Sequence, residues 1–390
     1  MKDIFSFNIN KFISNHLKDI HSYYHGGLTS YYKKKYHLKK INDYSINLNP
    51  LGEVFKYKPL NYYNILNDSL KHISQYSDIN YNKLKYSICK YLNKKDISKQ
   101  NIILGNGSTE IISLFCHCFL NKFDIVIIIS PTFSEYEHFC KVQDAKIIYI
   151  NEKEILKIDE NILKLAKIIF LCNPNNPTGY YYKEKDLIYF IKKCFFFQTF
   201  VFIDEAFIEL TNYYNQTICK YVSQFENTFV LRSLTKSFSI PGVRFGYGVS
   251  NKKIIQLLEK VKIPWNIGCF NEALILSILS LDKNIIREYF KKSNKLISNE
   301  RKYLIKSLLK INGLKPIKSE TCYLLIKIDN SMKIKSNELK DRLLKKGILV
   351  RNCDNFRSCS NSIRICIKNH YENKILIKKI REVIHEKKNN

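Results

Sequence analysis

Between residues 101 and 250 the chain repeats one pattern. A short apolar run is followed by a turn and then by a longer stretch in which apolar positions return at helical spacing. The runs Asn101–Leu104, Asp124–Ser130, Ala145–Ile150, Lys167–Cys172, Phe200–Asp204, Thr228–Arg232 and Phe245–Val249 read as strands, with helices predicted over Ile111–Leu120 and Ser134–Val142 among the intervening stretches. Strands that are apolar throughout belong in a sheet covered on both faces, so the pattern predicts a mostly parallel sheet sandwiched by helices. In such sheets ligands bind beyond the carboxyl ends of the strands.

The pattern changes after Pro264-Trp265. A helical region runs to about Ile311, followed by strands at Thr321–Ile328, Gly347–Arg351 and Ser362–Ile367, with helices at Ser336–Lys346 and Tyr371–His385. That order suggests a smaller α+β domain. The expected division is an N-terminal arm over 1–58, a large domain over 59–275 and a small domain over 276–390. Upstream, a helix is predicted to start near Asn80, after a break around Gln75-Tyr76-Ser77-Asp78.

Composition narrows the classes. With 390 residues, 45% hydrophobic, the chain can bury a large core. Its net charge of +29 raises a nucleic-acid reading, but the lysines are spread along the whole chain with no dense basic stripe. No appended helix-turn-helix pattern supports a regulator. A positive field favours small anionic substrates instead. The twelve cysteines lack regular spacing, and Cys116-His117-Cys118 and Cys353/Cys359 do not have zinc-knuckle spacing, so reduced thiols and no metal are expected. The first twenty residues are too polar for a signal peptide, and no apolar run reaches membrane-spanning length. The expected compartment is the cytoplasm.

The chemistry gathers at strand ends. Ser233-Leu234-Thr235-Lys236 follows an apolar strand, with Arg244 eight residues later. A lysine desolvated at a strand end has a lowered pKa and can form a Schiff base; hydroxyls and a guanidinium beside it suit a phosphate. Together these are the needs of pyridoxal phosphate. Gly105-Asn106-Gly107-Ser108-Thr109 lies between a strand and a helix and offers a second set of anion donors. In Asn173-Pro174-Asn175-Asn176-Pro177-Thr178-Gly179 two prolines stiffen the turn, and the side chains of Asn175 and Asn176 are expected to face the crevice. Asp204 closes another strand, where a carboxylate can pair with a protonated pyridine nitrogen. Phe133 follows a further strand and suits stacking on a flat ring.

In their order and spacing, Ser-Leu-Thr-Lys, Asn-Pro-Asn-Asn-Pro-Thr-Gly and Asp-Glu-Ala-Phe resemble the class I/II aminotransferases of pyridoxal-phosphate fold type I, near the histidinol-phosphate aminotransferases, across roughly residues 40 to 370. A finer resemblance is to the L-threonine-O-3-phosphate decarboxylases of cobalamin assembly. It rests on His25-Gly26-Gly27, Asp43 to Gly52, Ile240-Pro241-Gly242, Pro264-Trp265-Asn266, and Val350 to Phe356 leading to Ile363-Arg364.

The resemblance implies roles. Lys236 would hold the coenzyme aldehyde, Asp204 the ring nitrogen, Asn176 the ring-hydroxyl side and Phe133 a ring face. Ser108, Thr109, Ser233, Thr235 and Arg244 would hold the phosphate. Tyr76 would reach the coenzyme phosphate of a partner subunit, implying a homodimer. Arg364 would bind the substrate carboxylate; Arg351 and His25 would lie near a substrate phosphate, with Gly26, Asn49 and Asn176 also at the substrate. Phe207 stands where the aminotransferase branch usually has tyrosine, and the decarboxylase branch tolerates phenylalanine there. The expectation is therefore decarboxylation of L-threonine O-3-phosphate to an aminopropanol phosphate, with histidinol-phosphate transamination as the alternative.

Overall fold

The structure is a computed structural model, and it describes residues 13–18, 20, 26–57 and 62–386. Its strands are β1 (Asn42–Asp43), β2 (Ile102–Gly105), β3 (Ile125–Ser130), β4 (Lys146–Asn151), β5 (Ile168–Cys172), β6 (Phe200–Asp204), β7 (Thr228–Ser233) and β8 (Gly246–Ser250) in the first two thirds of the chain. The last third supplies β9 (Leu314–Pro316), β10 (Tyr323–Ile328), β11 (Ile348–Leu349), β12 (Arg351–Asn352) and β13 (Ser362–Cys366).

Seven strands form the main sheet in the order β2-β8-β7-β6-β5-β3-β4. The pairs β3–β4, β3–β5, β5–β6 and β6–β7 are parallel, whereas β8 runs antiparallel to both β2 and β7. This is the α/β class that the apolar runs predicted. The two faces can be read along a single strand. In β5, Ile168, Phe170 and Cys172 enter one core layer while Ile169 and Leu171 enter the other. The period of two in side-chain direction divides an all-apolar strand between two covered faces.

One layer is dominated by phenylalanine. Phe202 lies 4.8 Å from Phe115, 5.0 Å from Phe170 and 5.1 Å from Phe229 between ring centroids, beneath the helix Ser108–Phe119. Burying each such side chain contributes on the order of 2 kcal/mol. The strand ends are thereby fixed against the helices that follow them.

A second, antiparallel sheet runs β12-β13-β10-β9. The helix Lys283–Leu309 joins the two parts: Ile286, Tyr289 and Phe290 pack in the core of the large sheet, and Ile297, Leu304 and Leu308 in the core of the small one. The expected strand Gly347–Arg351 is interrupted at buried Val350. On one side β11 pairs in parallel with β1 of the N-terminal arm; on the other β12 pairs with β13. One apolar run serves two sheets, which a hydrophobicity pattern cannot distinguish from a single strand. Among the described residues, no helix is long and apolar enough to cross a membrane.

Candidate active site

The carboxyl ends of β3, β5, β6 and β7 meet the small sheet across a cavity of about 350 Å³. Among the residues lining it are Ser108, Thr109, Phe133, Asn176, Asp204, Thr235, Lys236, Arg244, Arg351 and Arg364, so most of the candidates scattered through the sequence converge on one space. Gly26, Ser45, Ile46 and Asn47 of the arm close it from a third side.

Lys236 lies in a short helix, Leu234–Ser237, immediately after β7. Burial is the main cause that brings its ammonium pKa down to about 8, with Arg244 and then Arg364 adding like-charge repulsion. At Asp204, the last residue of β6, burial pushes the carboxyl pKa up to about 6, although the charged form accepts a 2.6 Å hydrogen bond from the Tyr136 hydroxyl and a 2.8 Å bond from the Ala206 N–H. Tyr136 was not singled out from the sequence. Its signal was there to find: it follows Phe133 by three positions on a helix starting at Ser134, so the two rings share a face.

Three guanidiniums surround the lysine, and among the described residues the hydrogen-bond partners of all three are neutral. Arg244 bonds the Pro241 carbonyl, Arg351 the Asn355 side chain at 3.1 Å, and Arg364 the Asn176 side chain and the Ser45 carbonyl. Arg351 and Arg364 are direct cross-strand partners on β12 and β13. Burial and the neighbouring Arg364 hold Arg351 down at about 10. Like charges placed opposite each other are unfavourable unless an anion lies between them. Among the described residues, the Nε of Arg364 and the Oδ1 of Asn47 are buried without a hydrogen-bond partner, so the cavity retains polar groups that these residues do not satisfy.

The wall near Arg244 is shaped for an oxyanion. Gly107 has φ +89°, and a Cβ there would meet the Arg244 guanidinium at 2.5 Å, so only glycine permits the arginine to lie across the N-terminus of Ser108–Phe119. Helix end, hydroxyls and guanidinium together suit a phosphate. A phosphorylated pyridine aldehyde fits this donor set, because one cavity brings together a guanidinium and hydroxyls, an aromatic ring, a buried carboxylate and a low-pKa amine.

Three expectations, for Asn175, Asn49 and Ser233, are placed differently. Asn175 turns away from the cavity: its amide donates to the Pro131 carbonyl and to Glu152, both at 2.6 Å, and its Oδ1 accepts from Thr132. Of the two asparagines in the turn, only Asn176 faces the crevice. Asn49 is buried behind the lysine rather than at the substrate space, donating to the Ser237 carbonyl at 2.8 Å and accepting from Ser293 at 2.7 Å; its backbone N–H also bonds the Lys236 carbonyl. Its bonds clamp the arm to the lysine segment. Ser233 is buried at the strand end and bonds Thr235 at 2.8 Å, so it braces a lining residue. Tyr76 is 81% exposed on the outer surface, stacked 4.4 Å from Trp265. His25 lies outside the described residues.

Known proteins resemble this chain in sequence and in fold. A model of the family described as aminotransferase class I and II matches residues 42–380. A histidinol-phosphate aminotransferase from Caldanaerobacter subterraneus subsp. tengcongensis is 35% identical over 308 residues, 77% of this chain and 82% of the relative. A provisionally named threonine-phosphate decarboxylase of the same organism is 33% identical over 312 residues, 78% of this chain and 82% of its own. Among solved structures, the histidinol-phosphate aminotransferase of Clostridium acetobutylicum superposes with a TM-score of 0.76 at 32% identity, covering 88% of this chain and 99% of that one.

Proposed function

Because the chain belongs to the aminotransferase class I and II family, we propose that it is a pyridoxal-phosphate enzyme transferring the amino group of a small phosphorylated amine, of which histidinol phosphate is the model. The observation that carries this is the set of three guanidiniums with neutral partners around one low-pKa lysine, because coenzyme and substrate each bring an anion to that space. The relatives move the weight from the decarboxylation expected from sequence to transamination: histidinol-phosphate aminotransferase is the name of the 35% relative and of the 32% solved structure, against one decarboxylase name at 33%.

Arg244, Ser108, Thr109 and Thr235 would hold the coenzyme phosphate, Asp204 its ring nitrogen, Phe133 a ring face and Lys236 its aldehyde carbon. When bound, the coenzyme supplies a ring that takes up the electron pair released at the substrate α-carbon. The protein does the rest. Asp204 is a carboxylate above pH about 6 and holds a proton on the ring nitrogen by charge attraction, while Tyr136 fixes its orientation. Lys236 Nζ, whose ammonium pKa burial brings down to about 8, would serve as the base for the substrate α-proton. Arg364 and Arg351 bind the substrate anion, and the arm residues Ser45 to Asn47 exclude water from above.

Decarboxylation of L-threonine O-3-phosphate is the second reading, and Phe207 favours it. Its ring lies edge-on to Tyr323 at 5.1 Å and brings no hydroxyl to the ring oxygen of the coenzyme. One pair of assays separates the readings. The coenzyme-loaded protein is given histidinol phosphate with 2-oxoglutarate, then L-threonine O-3-phosphate alone, and products are followed by mass and by CO2. Glutamate formation in the first supports transamination. CO2 without a keto acid in the second supports decarboxylation, and neither product rejects both.

A further inference from the structure

A cavity of about 760 Å³, larger than the candidate active site and sharing no lining residue with it, opens between the helix Asn82–Leu92, the start of Lys283–Leu309 and the segment after β6. Its floor is a buried charged cluster. Arg232 of β7 is 3% exposed and bonds both Glu205 and Glu209, the latter 2% exposed. Glu205 is satisfied on both oxygens, by Arg232, the Thr217 hydroxyl and the Ile218 N–H. Glu209 is not: Oε1 accepts from Arg232 and from the Tyr91 hydroxyl, whereas among the described residues Oε2 is buried without a partner, as is Nε of Arg232. Two carboxylates thus share one guanidinium, which leaves the cluster one negative charge in surplus, and the oxygen without a donor belongs to Glu209, which lines the cavity. A buried carboxylate oxygen left without a donor costs about 1 to 3 kcal/mol.

The rim has the opposite sign. Lys90, Lys94, Lys283 and Arg287 border the opening, against one carboxylate, Asp282, whose side chain accepts the Asn284 N–H at 2.8 Å. Lys283 bonds only the neutral Asn93 side chain, and Lys90 lies over the Tyr86 ring. Between floor and rim the wall includes the aromatic rings of Tyr91 and Phe290.

We propose that this cavity is a second ligand site, for a small molecule with an amine at one end, a flat apolar body and an anionic group at the other. The amine donates to Glu209 Oε2 and neutralises the surplus charge; the body lies along Tyr91 and Phe290; the anion meets the lysines and arginine at the rim. Because Arg232 lies next to Ser233 and three residues before Thr235, occupancy also supports the strand end that presents Lys236.

The test is calorimetric titration of the coenzyme-loaded protein with para-(aminomethyl)benzoate, and separately with benzylamine and benzoate, each of which keeps one end. The complete probe is expected to bind about tenfold more tightly than either half. Glu209→Gln should lose that advantage and Arg287→Glu should reduce affinity for the complete probe and for benzoate at least about fivefold while leaving benzylamine unchanged. Arg287 is exposed, so its variant keeps the test valid even if the buried change impairs folding. No binding of the complete probe, equal binding by Arg287→Glu and the unaltered protein, or binding no better than its halves, would each overturn the proposal.

Discussion

Asp204 and Lys236 carry their chemistry through burial, and each makes a prediction with a sign. The carboxyl of Asp204 titrates near 6, above its ordinary value, so the folded protein binds the proton more tightly than the unfolded chain. Stability associated with this group is complete below about pH 4 and is lost as pH rises through about 6. Asp204→Asn should therefore make the coenzyme-free protein more stable at pH 7, by about 2 to 3 kcal/mol, while weakening coenzyme binding. Denaturant titrations at pH 4 and pH 7 check it; an equal effect at both would show that the charge is not the cause. For Lys236 the shift is downward, to about 8, so the amine gains its nucleophilic form as pH rises through that value. The rate at which coenzyme-free protein captures pyridoxal phosphate should climb about tenfold per pH unit below 8 and then level off. A rise that continues beyond pH 10 would mark an ordinary solvated lysine, and Lys236→Ala should abolish the absorption of the bound coenzyme. These two residues were legible in the sequence because each follows an uninterrupted apolar run. Tyr136, whose hydroxyl holds Asp204, was passed over despite its spacing from Phe133, because on a helix it reads as another core aromatic.

Among the elements, the turn from Asn173 to Gly179 shows how a rigid loop is held. Glu152, just past the end of β4, is buried and takes hydrogen bonds from Asn175 and, at 2.7 Å, from Thr178; burial raises its pKa, and these bonds oppose that rise. Gly179, with φ +72°, lies so near Ser319 that any Cβ would overlap its side chain. The loop is thus fixed from beneath and from the side, which leaves Asn176 aimed at Arg364. Glu152→Ala should lower stability by about 2 kcal/mol and cut kcat/KM about tenfold, with the larger part in kcat, because the loop's position rather than a substrate contact is lost. A change in stability alone, measured by thermal unfolding beside steady-state kinetics, would assign Glu152 to the fold only. The sequence showed the turn and its prolines but not which asparagine looks inward, since that depends on Glu152, which is more than twenty residues away in the chain.

For the whole molecule, the surface and its copies are the remaining question. Tyr76 and Trp265 form an exposed stacked pair, 81% and 40% accessible, and the Trp265 indole bonds the Ser77 carbonyl at 3.1 Å. If Tyr76 serves a partner's coenzyme, sedimentation should give twice the chain mass of 46.2 kDa, and Tyr76→Ala should weaken coenzyme binding about tenfold without altering the monomer's own cavity. A monomer with full affinity would remove that role. The division into layers was visible in the sequence as all-apolar strands. The direction of β8 and the split at Val350 were not, because both are set by which strand each segment meets after the chain has turned.

That split has a consequence for how the protein is made. β1 near the amino end pairs in parallel with β11, roughly 300 residues later, and its neighbour Tyr44 bonds the backbone of Leu349 and Cys366. On the ribosome the arm is made roughly 300 residues before its partner strand and stays unpaired until residues 348–349 have been synthesised. The lid over the cavity is therefore the last piece to settle, and a chain cut short before its final sixty or so residues is left with an open, unguarded pocket.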